Sequence, residues 1–147
     1  MRGITMSIIL EEISTDALAY LGDSVIELLV REHLVNMNIT SSGGLNSKSL
    51  EFVKAGAQAQ AMRSILPLLT SEEEAIFKRG RNKAGGNVPK SATVSEYRAA
   101  TGMETLFGYL HLKGDRERIV ELFRIGYQIE QQLNNNRTTI EQQSNNN

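Results

Sequence analysis

Apolar positions recur at helical spacing along most of the chain and show no sustained alternation with period two. The pattern therefore predicts an all-α fold without strands. Leu18, Leu21, Val25, Leu28 and Leu29 fall on one side of a first helix, as a core-facing stripe should. Ser14 or Thr15 can cap that helix, which should run to about Val35. After a turn over 38–44, a second helix is expected from Leu45 to about Leu66, stopping near Pro67. Its stripe is Leu50, Val53, Ala57 and Ala61. Ser71 and Glu74 have capping-box spacing and open a short helix through Phe77. Two more helices follow, from Val94 to about Leu112 and, after the Gly114-Asp115 break, from Arg116 to about Leu133. From Gln131 onward ten of 17 residues are Asn or Gln. Such a segment buries too little surface to order itself. The expected organisation is one domain over 1–130 and a disordered Asn/Gln-rich tail over 131–147.

The other side of the first helix carries Asp16, Tyr20, Asp23 and Glu27, at offsets of four, three and four. Three carboxylates and a phenol thus line one edge, although like charges at that spacing repel slightly. Gly22 lies in mid-helix, where glycine costs ~1 kcal/mol against alanine. Something should therefore pass close to the backbone beside Asp23. A solvated acidic face with a glycine at a helix crossing fits the same pattern. In the helix that starts near Val94, Tyr97, Thr101, Glu104 and Gly108 share a face, while Met103, Leu106 and Leu110 define a separate apolar side. A close crossing at Gly22 and Gly108 would bring Asp23 toward Glu104.

Composition narrows the chemistry. The 147 residues suit one domain with a sizeable core, and 40% apolar with 22% charged residues is ordinary for a soluble protein. The chain has no cysteine, which excludes disulfides and thiolate metal sites. His33 and His111 are its two histidines, too few for a histidine-rich zinc site. No apolar run approaches the ~20 residues of a membrane span. The first ten residues, with one positive charge and a short apolar patch before Glu11 and Glu12, make a poor signal peptide. A cytoplasmic protein without a membrane partner is expected.

A net charge of −1 gives no global attraction for nucleic acid, but the charges are unevenly placed. No acid occurs from Ala75 to Ser95, a window that holds Lys78, Arg79, Arg81, Lys83 and Lys90 among Gly80, Gly85, Gly86 and Pro89. The sequence reads as a basic, flexible loop over 78–90. Lysine, arginine and free backbone N–H groups suit phosphate oxygens. No Gly-Lys-Ser/Thr triplet closes it as a P-loop, and a solvated connector would look the same.

Taken together, these residues resemble the ribonuclease III catalytic domain. Leu21-Gly22-Asp23-Ser24-Val25 with Glu27-Leu28, and Glu104-Thr105-Leu106-Phe107-Gly108-Tyr109-Leu110, look like its paired signatures. Phe77-Lys78-Arg79-Gly80-Arg81-Asn82, then Val88-Pro89-Lys90 and Tyr97-Arg98, are similar to the basic loop of the Mini-ribonuclease III subfamily, a short form without a separate RNA-binding domain. The likeness runs from about Asp16 to Leu122. Of the family's four metal-associated carboxylates, two match Asp23 and Glu104. The other two fall at Ala19 and Thr101, where the subfamily pattern also lacks acids. Lys83-Ala84-Gly85-Gly86-Asn87 departs from the Ala-Lys-Ser-Gly-Thr order of the subfamily.

The resemblance implies a homodimeric helical endonuclease that cleaves double-stranded RNA to 5′-phosphate and 3′-hydroxyl ends. It implies a substrate stem in precursor large-subunit ribosomal RNA, and magnesium, with manganese able to substitute. Asp23 and Glu104 would be the catalytic and metal-binding residues. Arg79, Arg81, Asn82, Lys83 and Lys90 would contact RNA, and Asp16, Tyr20, Glu27 and Thr101 would support the site. Glu27 could equally pair with a basic side chain. Two other classes fit less well. A non-catalytic RNA-binding or ribosome-associated relative need not keep Asp23 and Glu104. A helical nucleotide phosphohydrolase usually supplies several histidines or a His-Asp pair.

Overall fold

The structure, a computed structural model, describes residues 9–129, which form six α-helices, two short 3-10 turns (Leu10–Glu12 and Leu66–Leu68) and no strand. The expected all-α fold is thus observed. Helix α1 (Thr15–Asn36) begins where Ser14 accepts a hydrogen bond from the Ala17 amide at 3.1 Å. It buries Leu18, Val25, Ile26, Leu29, Val30 and Leu34. Leu28, expected in the core stripe, is 53% exposed, and Leu21 is partly buried. The stripe is rotated toward Ile26 and Val30, because α1 is seated by the glycine contact at Gly22 rather than by its leucines alone.

The single helix expected from Leu45 to Leu66 is two helices. Helix α2 (Ser42–Val53) is capped by Ser41, which accepts from the Gly44 amide at 3.1 Å, and α3 (Ala55–Ile65) follows after one extended residue, Lys54 (φ −66°, ψ 150°). Helix α2 lies on α1, whereas α3 packs against α5 and α6 and buries Ala59, Ala61, Met62 and Ile65. The break at Lys54 lets the two segments serve different neighbours.

Helix α4 (Ser71–Lys83) is longer than expected, and its capping box lies one residue earlier, between Thr70 and Glu73. Glu73 is 5% exposed and takes a two-pronged bond from Arg118 at 2.8 and 2.9 Å, while Glu74 pairs with Lys78 at 2.9 Å. The buried ion pair decides between the two possible boxes. Because α4 runs to Lys83, the first half of the basic stretch is helical, not a loop. Gly80 is tolerated because Thr105 and Gly102 occupy the space where its side chain would project.

Helix α5 (Val94–Lys113) opens with a Thr93–Glu96 capping box and ends at Gly114, which adopts a left-handed φ of 81°. It is the central helix. Ala100, Met103, Leu106, Phe107, Tyr109 and Leu110 are buried against α1, α3, α4 and α6. Helix α6 (Arg116–Gly126) ends before the expected Leu133, at a turn with Gln128 at φ 57°. The expected disordered tail lies outside the described residues. No helix among the described residues is long and apolar enough to cross a membrane.

Candidate active site on the α1–α5 seam

The site is built on a helix crossing made by two glycines. A Cβ at Gly22 would overlap the Glu104 carbonyl, and one at Gly108 would overlap the Leu18 carbonyl. Only glycine lets the two backbones approach so closely. The crossing brings the exposed Asp23 of α1 near the half-buried Glu104 of α5. Burial, with the Asp23 charge as a second cause, raises the Glu104 carboxyl from 4.5 to about 7. Among the described residues no group of three or more histidines and acids is arranged to hold a metal. The donor set at the seam is therefore two carboxylates.

The remaining predicted residues separate by position. Tyr20 stands out from α1 with 83% of its surface exposed. Asp16 pairs with Lys83 at 3.4 Å, linking the start of α1 to the last turn of α4. Glu27 accepts from Arg31 Nε at 3.0 Å, the second of the two roles open to it. The Thr101 hydroxyl donates to the Tyr97 carbonyl at 3.0 Å within its own helix. Arg81 Nε donates to Asn82 Oδ1 at 3.3 Å, with its guanidinium 5.8 Å from the centre of the Phe77 ring. Lys90 is exposed between α4 and α5, just after Pro89, whose carbonyl accepts from the Ala92 amide.

Arg79 has a structural role that its spacing in the sequence did not suggest. Its guanidinium donates to Thr15 Oγ1 at 2.7 Å and to the Ile13 carbonyl at 2.6 Å. Its fork ties α4 to the start of α1. Sequence spacing placed it in a loop, where every cation looks equally available. The Asp16–Lys83 link was also not legible, since 67 residues separate its partners and neither carries a local signal.

A cavity of about 470 Å³ lies elsewhere, lined by Leu29, His33, Asn36, Arg116 and Arg124 among others. Neither Asp23 nor Glu104 lines that cavity.

Similarity to known proteins agrees with this architecture. Residues 16–115 match the Ribonuclease III domain. The Mini-ribonuclease 3 of Enterococcus faecalis is 44% identical over 108 residues, covering 72% of this chain and 82% of that protein. The Mini-ribonuclease 3 of Symbiobacterium thermophilum is 43% identical over 107 residues, with 73% and 82% covered. A crystal structure of a Fusobacterium nucleatum protein superposes with a TM-score of 0.76 at 30% identity, covering 84% of this chain and 99% of that one. The chain belongs to the ribonuclease III family, and it is an endoribonuclease of that type. Within the family its similarity is to the Mini-ribonuclease 3 proteins.

Proposed function

We propose that this protein is a magnesium-dependent endoribonuclease that cuts double-stranded RNA as a two-fold homodimer. Its proposed substrate is a stem of precursor large-subunit ribosomal RNA in the cytoplasm, a choice that rests on the resemblance in the sequence. The observation that carries the catalytic reading is the Gly22–Gly108 crossing, which sets Asp23 beside a Glu104 whose carboxyl is raised to about 7.

Two acids that repel across one seam are relieved by a cation. The all-oxygen donor set fits magnesium, or manganese in its place, with water and substrate phosphate completing the shell. When bound, the ion would acidify a water and neutralise charge on the reacting phosphate. The chain's own residues do the rest. Asp23 and Glu104 would hold the ion, and Asp16 keeps Lys83 near the acidic edge of α1. Lys83, Lys90, Arg81 and Asn82 offer positive charge and hydrogen-bond donors to phosphates of the duplex. A-form RNA is read mostly by shape, through phosphates and 2′-hydroxyls.

The dimer is supported by apolar surface on α1 beside the acidic edge. Tyr20, Leu28 and Val35 are 83, 53 and 62% exposed and share one side of the helix. A second copy covering that stripe would set two carboxylate pairs across one duplex, related by the two-fold axis of the dimer. A non-catalytic RNA-binding role would leave the paired acids without a purpose. The test is incubation of the protein with matched double- and single-stranded RNA, with and without magnesium. Cleavage of the duplex alone, dependent on magnesium or manganese and leaving 5′-phosphates, is expected. Equal cutting of both RNAs, or full cutting in excess chelator, would refute the proposal.

A further inference from the structure

The cations that face a substrate extend beyond the segment between α4 and α5. The last turn of α4 and the first turns of α5 leave a cleft of about 430 Å³, lined by Arg81, Asn82, Val94, Ser95 and Arg98. Arg98 is exposed, and among the described residues neither it nor Arg81 pairs with an acid. Glu96, the acid nearest to Arg98 in sequence, turns its carboxylate back to the Thr93 amide at 3.1 Å to cap α5. Arg81 is oriented by the Phe77 ring and by Asn82.

The cleft thus presents two guanidinium forks, an amide and a hydroxyl, with no counter-charge. Two cations held in one cleft repel, and an anion between them removes that cost. Planar forks match the two free oxygens of a phosphodiester. The neighbouring Lys83 reaches Asp16, which stands on the same edge of α1 as Asp23. Arg98 and Arg81 thus face the α4–α5 cleft, while Lys83 turns to α1.

We propose that this cleft is a second phosphate-binding site, which holds the duplex backbone away from the scissile phosphate, with Arg98 as its principal contact. The proposal rests on the duplex-RNA reading above. Arg98 is then a positioning residue, and the grip it provides depends on a duplex long enough to reach it.

The test compares the parent with Arg98→Ala and Arg98→Lys on a long and a short RNA duplex over a salt series. Arg98 makes no hydrogen bond to the rest of the described protein, so both variants should fold. On the long duplex, Arg98→Ala should weaken binding roughly three- to ten-fold and flatten the plot of log affinity against log salt by about one unit. KM should rise more than kcat falls. Arg98→Lys should restore the salt slope but only part of the affinity, because the charge returns without the fork. On the short duplex all three proteins should bind alike. If the parent cleaves the long duplex and Arg98→Ala keeps its slope and KM, the cleft is a solvated surface and the inference is overturned. A parent that neither binds nor cuts duplex RNA would remove the underlying reading, and this one with it.

Discussion

At the scale of single residues, Glu104 connects stability to function. Its carboxyl ionises near 4.5 in the unfolded chain and near 7 in the folded one. Between those values the folded state holds the proton more tightly, so stability falls as pH rises through the window. Above about pH 7 the penalty is complete. At 1.36 kcal/mol per pH unit it amounts to roughly 3 kcal/mol. Without divalent metal, Glu104→Gln should therefore be more stable than the parent at pH 8, and the gap should close by about pH 4.5. Magnesium should raise the melting temperature of the parent at pH 8 and leave Glu104→Gln nearly unmoved. Equal pH profiles for the two proteins would mean that Glu104 is not penalised at the seam. The carboxylate pair was partly legible in the sequence, because Gly22 adjoins Asp23 and Gly108 shares a face with Glu104. The asymmetry between an exposed Asp23 and a half-buried Glu104 was not. It arises from α5 being enclosed by four other helices.

At the scale of elements, helix α4 shows where local signals fail. Its glycine and its run of cations suggest a mobile loop, yet Gly80 is there because Thr105 and Gly102 press against it. The sequence also holds two overlapping capping boxes, and only the distant Arg118 selects Glu73 over Glu74. The break at Lys54 has no proline or glycine before it and follows from the different neighbours of α2 and α3. The boundaries at Ser14, Thr93 and Gly114 were readable because these residues carry their own cap chemistry. The two ends of α4's basic run should behave differently under mutation. Arg79→Ala should cost about 1–3 kcal/mol, since the Thr15 hydroxyl and the Ile13 carbonyl lose a charged donor. It should leave the salt dependence of RNA binding nearly unchanged. The Arg81→Ala, Lys83→Ala double variant should do the reverse, holding the melting temperature within a few degrees while flattening the salt slope by about two units. Urea denaturation and duplex-binding titrations on the same preparations separate the two effects. A large loss of stability in the double variant would show these cations to be structural.

At the scale of the whole molecule, the acidic pair proposed as the catalytic site would cut one strand. Cutting both requires a second copy, and the Tyr20–Leu28–Val35 stripe is the surface proposed to receive it. Sedimentation at micromolar concentration should give a dimer for the parent and a monomer for a Tyr20→Asp, Leu28→Asp variant. Both positions are exposed, so the variant should keep its helical circular dichroism. A dimer unaffected by the two charges would move the interface off α1. The central claim, that the seam carboxylates perform the chemistry while the basic side chains perform the binding, is tested most directly by Asp23→Asn. Cleavage and affinity for one RNA duplex should be measured together in magnesium, beside the parent. The account predicts that this variant loses cleavage by at least a thousand-fold, about 4 kcal/mol of transition-state stabilisation, while its affinity for the duplex stays within a few-fold. Near-normal turnover by Asp23→Asn, or loss of cleavage only in step with loss of binding, would contradict it.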